Sequence, residues 1–172
     1  ANIMRANVSH KLSENRKANF AVQSSSFEKM YRNLYASGYD GTLVTMDGYL
    51  DPTERENFIV SGNLVSEIVT GSVTHTLLIG AELIDTENNN LRYDTNWSTT
   101  DDDNEVFTIS RPMDFTVNSV GVETAVNFTN SLKSKTKSDI AVTSLYIQDQ
   151  MDISDNIKVM LGGRLDSFDI TV

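Results

Sequence analysis

Through several stretches of this sequence apolar and polar residues alternate one for one. That period of two confines them to extended strands with unlike faces. The clearest case lies near the end. Ile157, Val159, Leu161, Gly163 and Leu165 fall on one side, and Lys158, Met160, Gly162, Arg164 and Asp166 on the other. Ser154-Asp155-Asn156 just before has the composition of a tight turn. The strand entering that turn is expected over about 140–153. It places Leu145, Ile147, Met151 and Ile153 on one side, interrupted by Asp149, and Ser144, Tyr146, Gln148, Gln150 and Asp152 on the other. A second hairpin sets Phe58, Val60, Gly62, Leu64 and Ile68 against Ser61, Asn63 and Glu67. It turns at Gly71-Ser72 and returns with His75, Leu77, Ile79, Ala81 and Leu83 opposite Gly80 and Glu82. A third, weaker hairpin runs over 5–22 around Ser13-Glu14-Asn15-Arg16.

The expected fold is all-β, with about six antiparallel up-and-down strands. Short turns alternate with two long polar connections, over 37–55 and 85–139. Short turns at one end and long loops at the other are typical of outer-membrane barrels, whose spanning strands need only about 9–11 alternating residues. No run of 18 apolar residues occurs, so no transmembrane helix is encoded. One stretch reads differently. Ser25-Ser26-Phe27-Glu28 has the spacing of a helix capping box, and Phe27, Met30, Tyr31 and Leu34 follow at helical spacing up to Gly38. A short helix near 26–36 is the local expectation. The start carries no signal-peptide pattern, and Ile170-Thr171-Val172 stops inside an expected strand. The 172 residues therefore read as one partial domain, 1–172, cut from a longer protein.

Composition removes several functions. The net charge of −10 supplies no clustered cations for nucleic acid. The absence of cysteine removes disulfides, thiolate metal sites and thiol nucleophiles. His10 and His75 are the only histidines and stand on separate expected strands, with no carboxylate at ligand spacing. No cofactor is expected. Asp85, Glu87 and Asn89 alternate, and Asp101 and Asp103 follow in an acidic run. Such oxygen ligands suit calcium, but Asn90 and Asn96 occupy positions where an EF-hand loop needs glycine and glutamate. The triplet Asp101-Asp102-Asp103 with Glu105 also allows a β-rich hydrolase as a rival reading. A flexible exposed triplet does not separate two pKa values, and no nucleophile elbow, phosphate loop or HExxH is present.

Five stretches in order resemble one family. They are Tyr31-Arg32-Asn33-Leu34-Tyr35-Ala36-Ser37-Gly38-Tyr39-Asp40, then Asp47-Gly48-Tyr49 with Glu54-Arg55-Glu56-Asn57, and Thr70-Gly71-Ser72-Val73-Thr74-His75-Thr76-Leu77-Leu78-Ile79-Gly80-Ala81-Glu82. Leu145-Tyr146-Ile147-Gln148-Asp149-Gln150 and Leu161-Gly162-Gly163-Arg164-Leu165-Asp166 complete the set. Together they resemble the barrel of TonB-dependent siderophore receptors across most of the chain. The resemblance implies a fragment of a barrel of about 22 strands in the bacterial outer membrane, without its plug. It implies a receptor that binds a ferric siderophore and imports it with energy from TonB, and not an enzyme. It places the Gly71 and Asp155 turns in the periplasm, and Leu77, Ile79, Leu83, Val159, Leu161 and Leu165 against lipid. Glu82, Arg164 and Asp166 then face the lumen, and 27–35 becomes a strand instead of a helix. In the exterior loops Tyr39, Tyr49, Arg92, Tyr93, Trp97 and Arg111 are the candidates for holding an aromatic, anionic chelate by stacking and charge. A partial barrel must hide its apolar side, so self-association is expected in isolation. The remaining rival is a soluble all-β domain binding a ligand or a protein, whose apolar faces would meet in one closed core.

Overall fold

The computed structural model describes residues 1–110 and 112–172. They form β1 (Asn2–Ser13), β2 (Arg16–Tyr39), β3 (Leu43–Thr70), β4 (Val73–Trp97), β5 (Glu105–Thr108), β6 (Val126–Ser154) and β7 (Ile157–Thr171). All seven join one open antiparallel sheet in the order β1-β2-β3-β4-β6-β7, with β5 paired to the start of β3. The up-and-down order follows from the turns. Gly71 adopts φ +64°, the left-handed conformation that a two-residue hairpin loop requires. The first and last hairpins shift register between Lys11 and Ser13 and between Asp152 and Ser154, just beside their turns.

The all-β, up-and-down expectation of about six strands holds, with the short Glu105–Thr108 added beside β3. Two expectations need correction. Residues 26–36 are strand throughout, inside the 24-residue β2. A capping box satisfies only a few backbone donors, whereas strand neighbours satisfy the whole segment. The long polar connections are mostly strand as well. The one assigned to 37–55 shrinks to Asp40–Thr42, and the other to the stretch from the end of β4 at Trp97 to the start of β6 at Val126, itself containing β5. β3 and β6 reach 28 and 29 residues, far beyond the 9–11 that cross a bilayer. Polarity on both faces had disguised these extensions as loops.

The sheet resolves into two compact units. The first comprises Ala1–Phe27, Arg55–Asn88 and Ser138–Val172. Its buried residues, among those described, are Ser25, Ser66, Asn88 and Ser144, none of them apolar. Its large apolar side chains lie in the open instead, with Leu161 63% and Leu165 71% exposed. The register aligns Leu145 with Leu165, Ile147 with Gly163 and Met151 with Val159, so this stretch of one face of β6–β7 is apolar but for Asp149. The other face carries polar ladders. Asn19 Nδ2 donates to Asn63 Oδ1 at 2.7 Å, Asn57 Nδ2 to Ser25 Oγ at 3.2 Å, and Thr86 Oγ1 to Asn57 Oδ1 at 3.0 Å. Apolar faces that meet in a closed core, as a soluble sandwich requires, do not occur in this unit.

The second unit comprises Glu28–Glu54 and Asn89–Lys137. It holds a true hydrophobic cluster of Val44, Met46, Trp97 and Phe107, packed by Leu34, Met113, Phe115 and Val126. Trp97 and Phe107 rings lie 5.1 Å apart, and Phe115 meets Phe107 edge-on at 5.4 Å. Gly48 sits where β2, β3 and β4 crowd together: a Cβ there would collide with the Asn33 carbonyl and the Leu34 and Thr95 side chains.

Candidate functional site

Period-two placement brings a set of polar and aromatic side chains to one face of the second unit. Tyr31 and Tyr35 come from β2, Asp47, Tyr49 and Asp51 from β3, and Arg92 from β4. The Tyr49 ring is the hub. Tyr31 lies 5.8 Å from it and Tyr35 6.2 Å, centroid to centroid, both tilted. The Arg92 guanidinium carbon sits 3.9 Å from the Tyr49 centroid, well inside cation–π range. Arg92 Nη1 also reaches Asp51 Oδ2 at 3.3 Å, and Tyr35 donates its hydroxyl to Asp47 Oδ2 at 2.8 Å. Asp51 Oδ1 is shielded from solvent without a donor. Beside this group a cleft of about 270 Å³ is lined by Lys29, Tyr31, Asp51, Thr53, Asn90, Leu91, Arg92, Ser134 and Thr136. Cationic, carboxylate, ring and hydroxyl groups thus converge on this cleft.

The six residues expected to touch ligand fare differently. Tyr49 and Arg92 come together as described. Tyr39 is 65% exposed and spends its hydroxyl on the Gly41 carbonyl at 2.7 Å. Tyr93 follows Arg92 directly on β4, so its side chain leaves from the opposite face. Trp97 must be corrected. It is fully buried in the hydrophobic cluster, where it offers no ring face to a ligand, because Phe107 on β5 covers it. Arg111 lies outside the described residues. Tyr31, Tyr35, Asp47 and Asp51 were missed. For Asp47 and Asp51 the signal is the alternation Asp47-x-Tyr49-x-Asp51, which falls inside the polar connection expected over 37–55.

The calcium candidates do not gather. Asp85, Glu87 and Asn89 alternate along β4, and Asn89 Nδ2 donates to Glu54 Oε2 at 3.5 Å. Asp101, at φ 53°, accepts from Asn96 Nδ2 at 3.1 Å in the turn after β4. Asp103 is held above the usual carboxylate range, first by burial and then by the charges of Asp47, Asp102 and Asp94. Among the described residues no group of three acidic or imidazole side chains is placed to hold a metal ion.

In the first unit Glu82, Arg164 and Asp166 do share a face. Arg164 Nη2 donates to Glu82 Oε1 at 2.9 Å and to Ser144 Oγ at 2.8 Å, and Arg164 Nε to Asp166 Oδ1 at 2.8 Å. Ser144 completes the ring by donating to Asp166 at 2.5 Å. On the opposite face, the carboxylate that the sequence hid from His75 is Asp149, with Nδ1 and Oδ2 2.8 Å apart.

Residues 3–172 match the sequence profile of the family described as TonB dependent receptor-like, beta-barrel. Among solved structures, the fold is similar to the crystal structure of BauA, the ferric preacinetobactin receptor from Acinetobacter baumannii. The TM-score is 0.69 at 17% identity, over 98% of this chain and 24% of that one. The chain therefore spans about a quarter of the length of that structure. No curated protein sequence matches it.

Proposed function

This chain belongs to the TonB-dependent receptor β-barrel family, and we propose that it forms part of the wall of a transporter that binds a ferric siderophore outside the cell and admits it with energy relayed by TonB. Family membership itself makes the chain part of an outer-membrane barrel and of a transporter instead of an enzyme. The observation that carries the reading is the division of labour in the first unit. It buries no apolar side chain among the described residues, yet exposes Leu145, Ile147, Leu161 and Leu165 along one face. Lipid is the solvent that makes such a face stable, and the opposite polar face suits a wet lumen.

In this reading the turns at 71–72 and 155–156 lie in the periplasm. The cleft lined by Lys29, Tyr31 and Arg92 offers a ring and positive charge to an anionic chelate. BauA's own ligand supports a siderophore as cargo in kind, without naming which one. Uptake of labelled ferric siderophores by cells lacking the parent gene tests the proposal. One chelate class should lose uptake, and complementation with Arg92→Ala should restore surface receptor with binding about tenfold weaker. Unchanged uptake of hydroxamate, catecholate and mixed chelates alike would discard the siderophore reading.

A further inference from the structure

Tyr49 stands beside the cleft without lining it, whereas its neighbours Tyr31 and Arg92 do line it. Its ring is already engaged. Tyr31 and Tyr35 approach it at 5.8 and 6.2 Å, and the Arg92 guanidinium carbon lies over it at 3.9 Å from the centroid. The ring face that could stack on a ligand is thus taken by a cation.

Arg92 itself reaches the cleft on a long, rotatable side chain. A chain of that kind loses freedom when a ligand fixes it, and the loss weakens binding unless the chain is restrained beforehand. Two contacts restrain Arg92. The ion pair with Asp51 spans 3.3 Å between side chains 43% and 33% exposed, and a pair so open to water holds little. The Tyr49 ring is the firmer hold, because at 3.9 Å the guanidinium sits well within reach of the negative π face. The ring takes none of the N–H donors. Asp51 accepts from Nη1, and the rest of the planar fork is left to meet an oxyanion.

Granted the siderophore reading of the cleft, we propose that Tyr49 is a positioning residue: without touching the chelate, it holds Arg92 so that the guanidinium meets the chelate's anionic group already oriented. The full-length receptor in detergent is titrated with radiolabelled ferric enterobactin, ferric citrate and ferric aerobactin, three anionic chelates. Tyr49→Phe should bind within about twofold of wild type, because phenyl and phenol faces both attract a cation. A larger loss would put the hydroxyl on the ligand and overturn the proposal. Fluorinated phenylalanines at position 49 nearly keep the ring's size but drain its face of negative charge. Affinity should fall with each added fluorine, to about fivefold in all. In an Arg92→Ala background, itself about tenfold weaker, the fluorines should change nothing. Should the fluorinated rings fail to assemble, Tyr49→Leu with and without Arg92→Ala closes the same cycle, with heat-modifiable gel mobility reporting an intact barrel. A ring that only packs would show no trend, or the same trend with and without Arg92, and either result overturns the proposal alone. Arg92→Ala at wild-type affinity, or a wild type that binds none of the three chelates, overturns the cleft reading and this proposal with it.

Discussion

Asp40 folds the bend between β2 and β3 with its own side chain. Its Oδ1 accepts from the backbone N–H groups of Thr42 at 2.8 Å and Leu43 at 2.7 Å, while Gly41 takes φ +104°. Those two donors hold the Asp40 carboxyl below the usual carboxylate range. Because the folded value is depressed, its stabilisation is complete above the ordinary carboxylate pKa. It is lost as pH falls through the depressed value. Amide exchange at Thr42 and Leu43 should therefore be slow at neutral pH and quicken below the ordinary carboxylate range, beyond the intrinsic change. Asp40→Ala should make it fast at every pH. The same logic with opposite sign governs Asp103, whose raised value relieves repulsion from Asp47, Asp102 and Asp94 as pH falls.

At the scale of elements, length separates the two units. A strand of 24 to 29 residues cannot lie wholly in a bilayer, so β2, β3, β4 and β6 each contribute both to a unit with an apolar exterior and to a unit with a water-soluble style of core. At Gly48 three of them meet within the second unit. Gly48→Ala forces a methyl group against the Asn33 carbonyl, which belongs to backbone and cannot swing aside. The expected cost is about 1–3 kcal/mol. It should appear as a lower denaturant midpoint and as faster exchange in 31–35 and 93–97, with 157–168 unchanged. A uniform loss of protection would show instead that the two units unfold as one.

For the whole molecule, the sheet order leaves β1 and β7 each with one neighbour. Every residue of β1 is exposed, and β7 is exposed throughout except Val159. Two open edges plus an apolar face make an isolated sheet prone to associate. Seven strands also enclose no channel of the width that a barrel of about 22 strands does. Expressed alone, the chain should elute as a heterogeneous oligomer in light scattering, become smaller in detergent, and give no steady conductance in a planar bilayer. A monodisperse, detergent-free monomer would contradict the lipid-facing assignment of Leu145, Leu161 and Leu165.

Period-two alternation by itself determined the all-β class, the three hairpins and the partition of Leu161 from Arg164, because in a strand the face of a side chain is fixed by parity alone. The turn residues determined the up-and-down order, since Gly71 and the polar triplet 154–156 stop a strand locally. Tertiary structure decided what parity could not. It turned 26–36 from helix to strand, extended β3 and β4 through stretches polar enough to pass for loops, withdrew Trp97 behind Phe107, and set Asp149 beside His75 and Arg92 on Tyr49. Each of these rests on a neighbour ten or more residues away in sequence. A hydrogen-bonded ladder or a ring contact exists only once that neighbour has arrived.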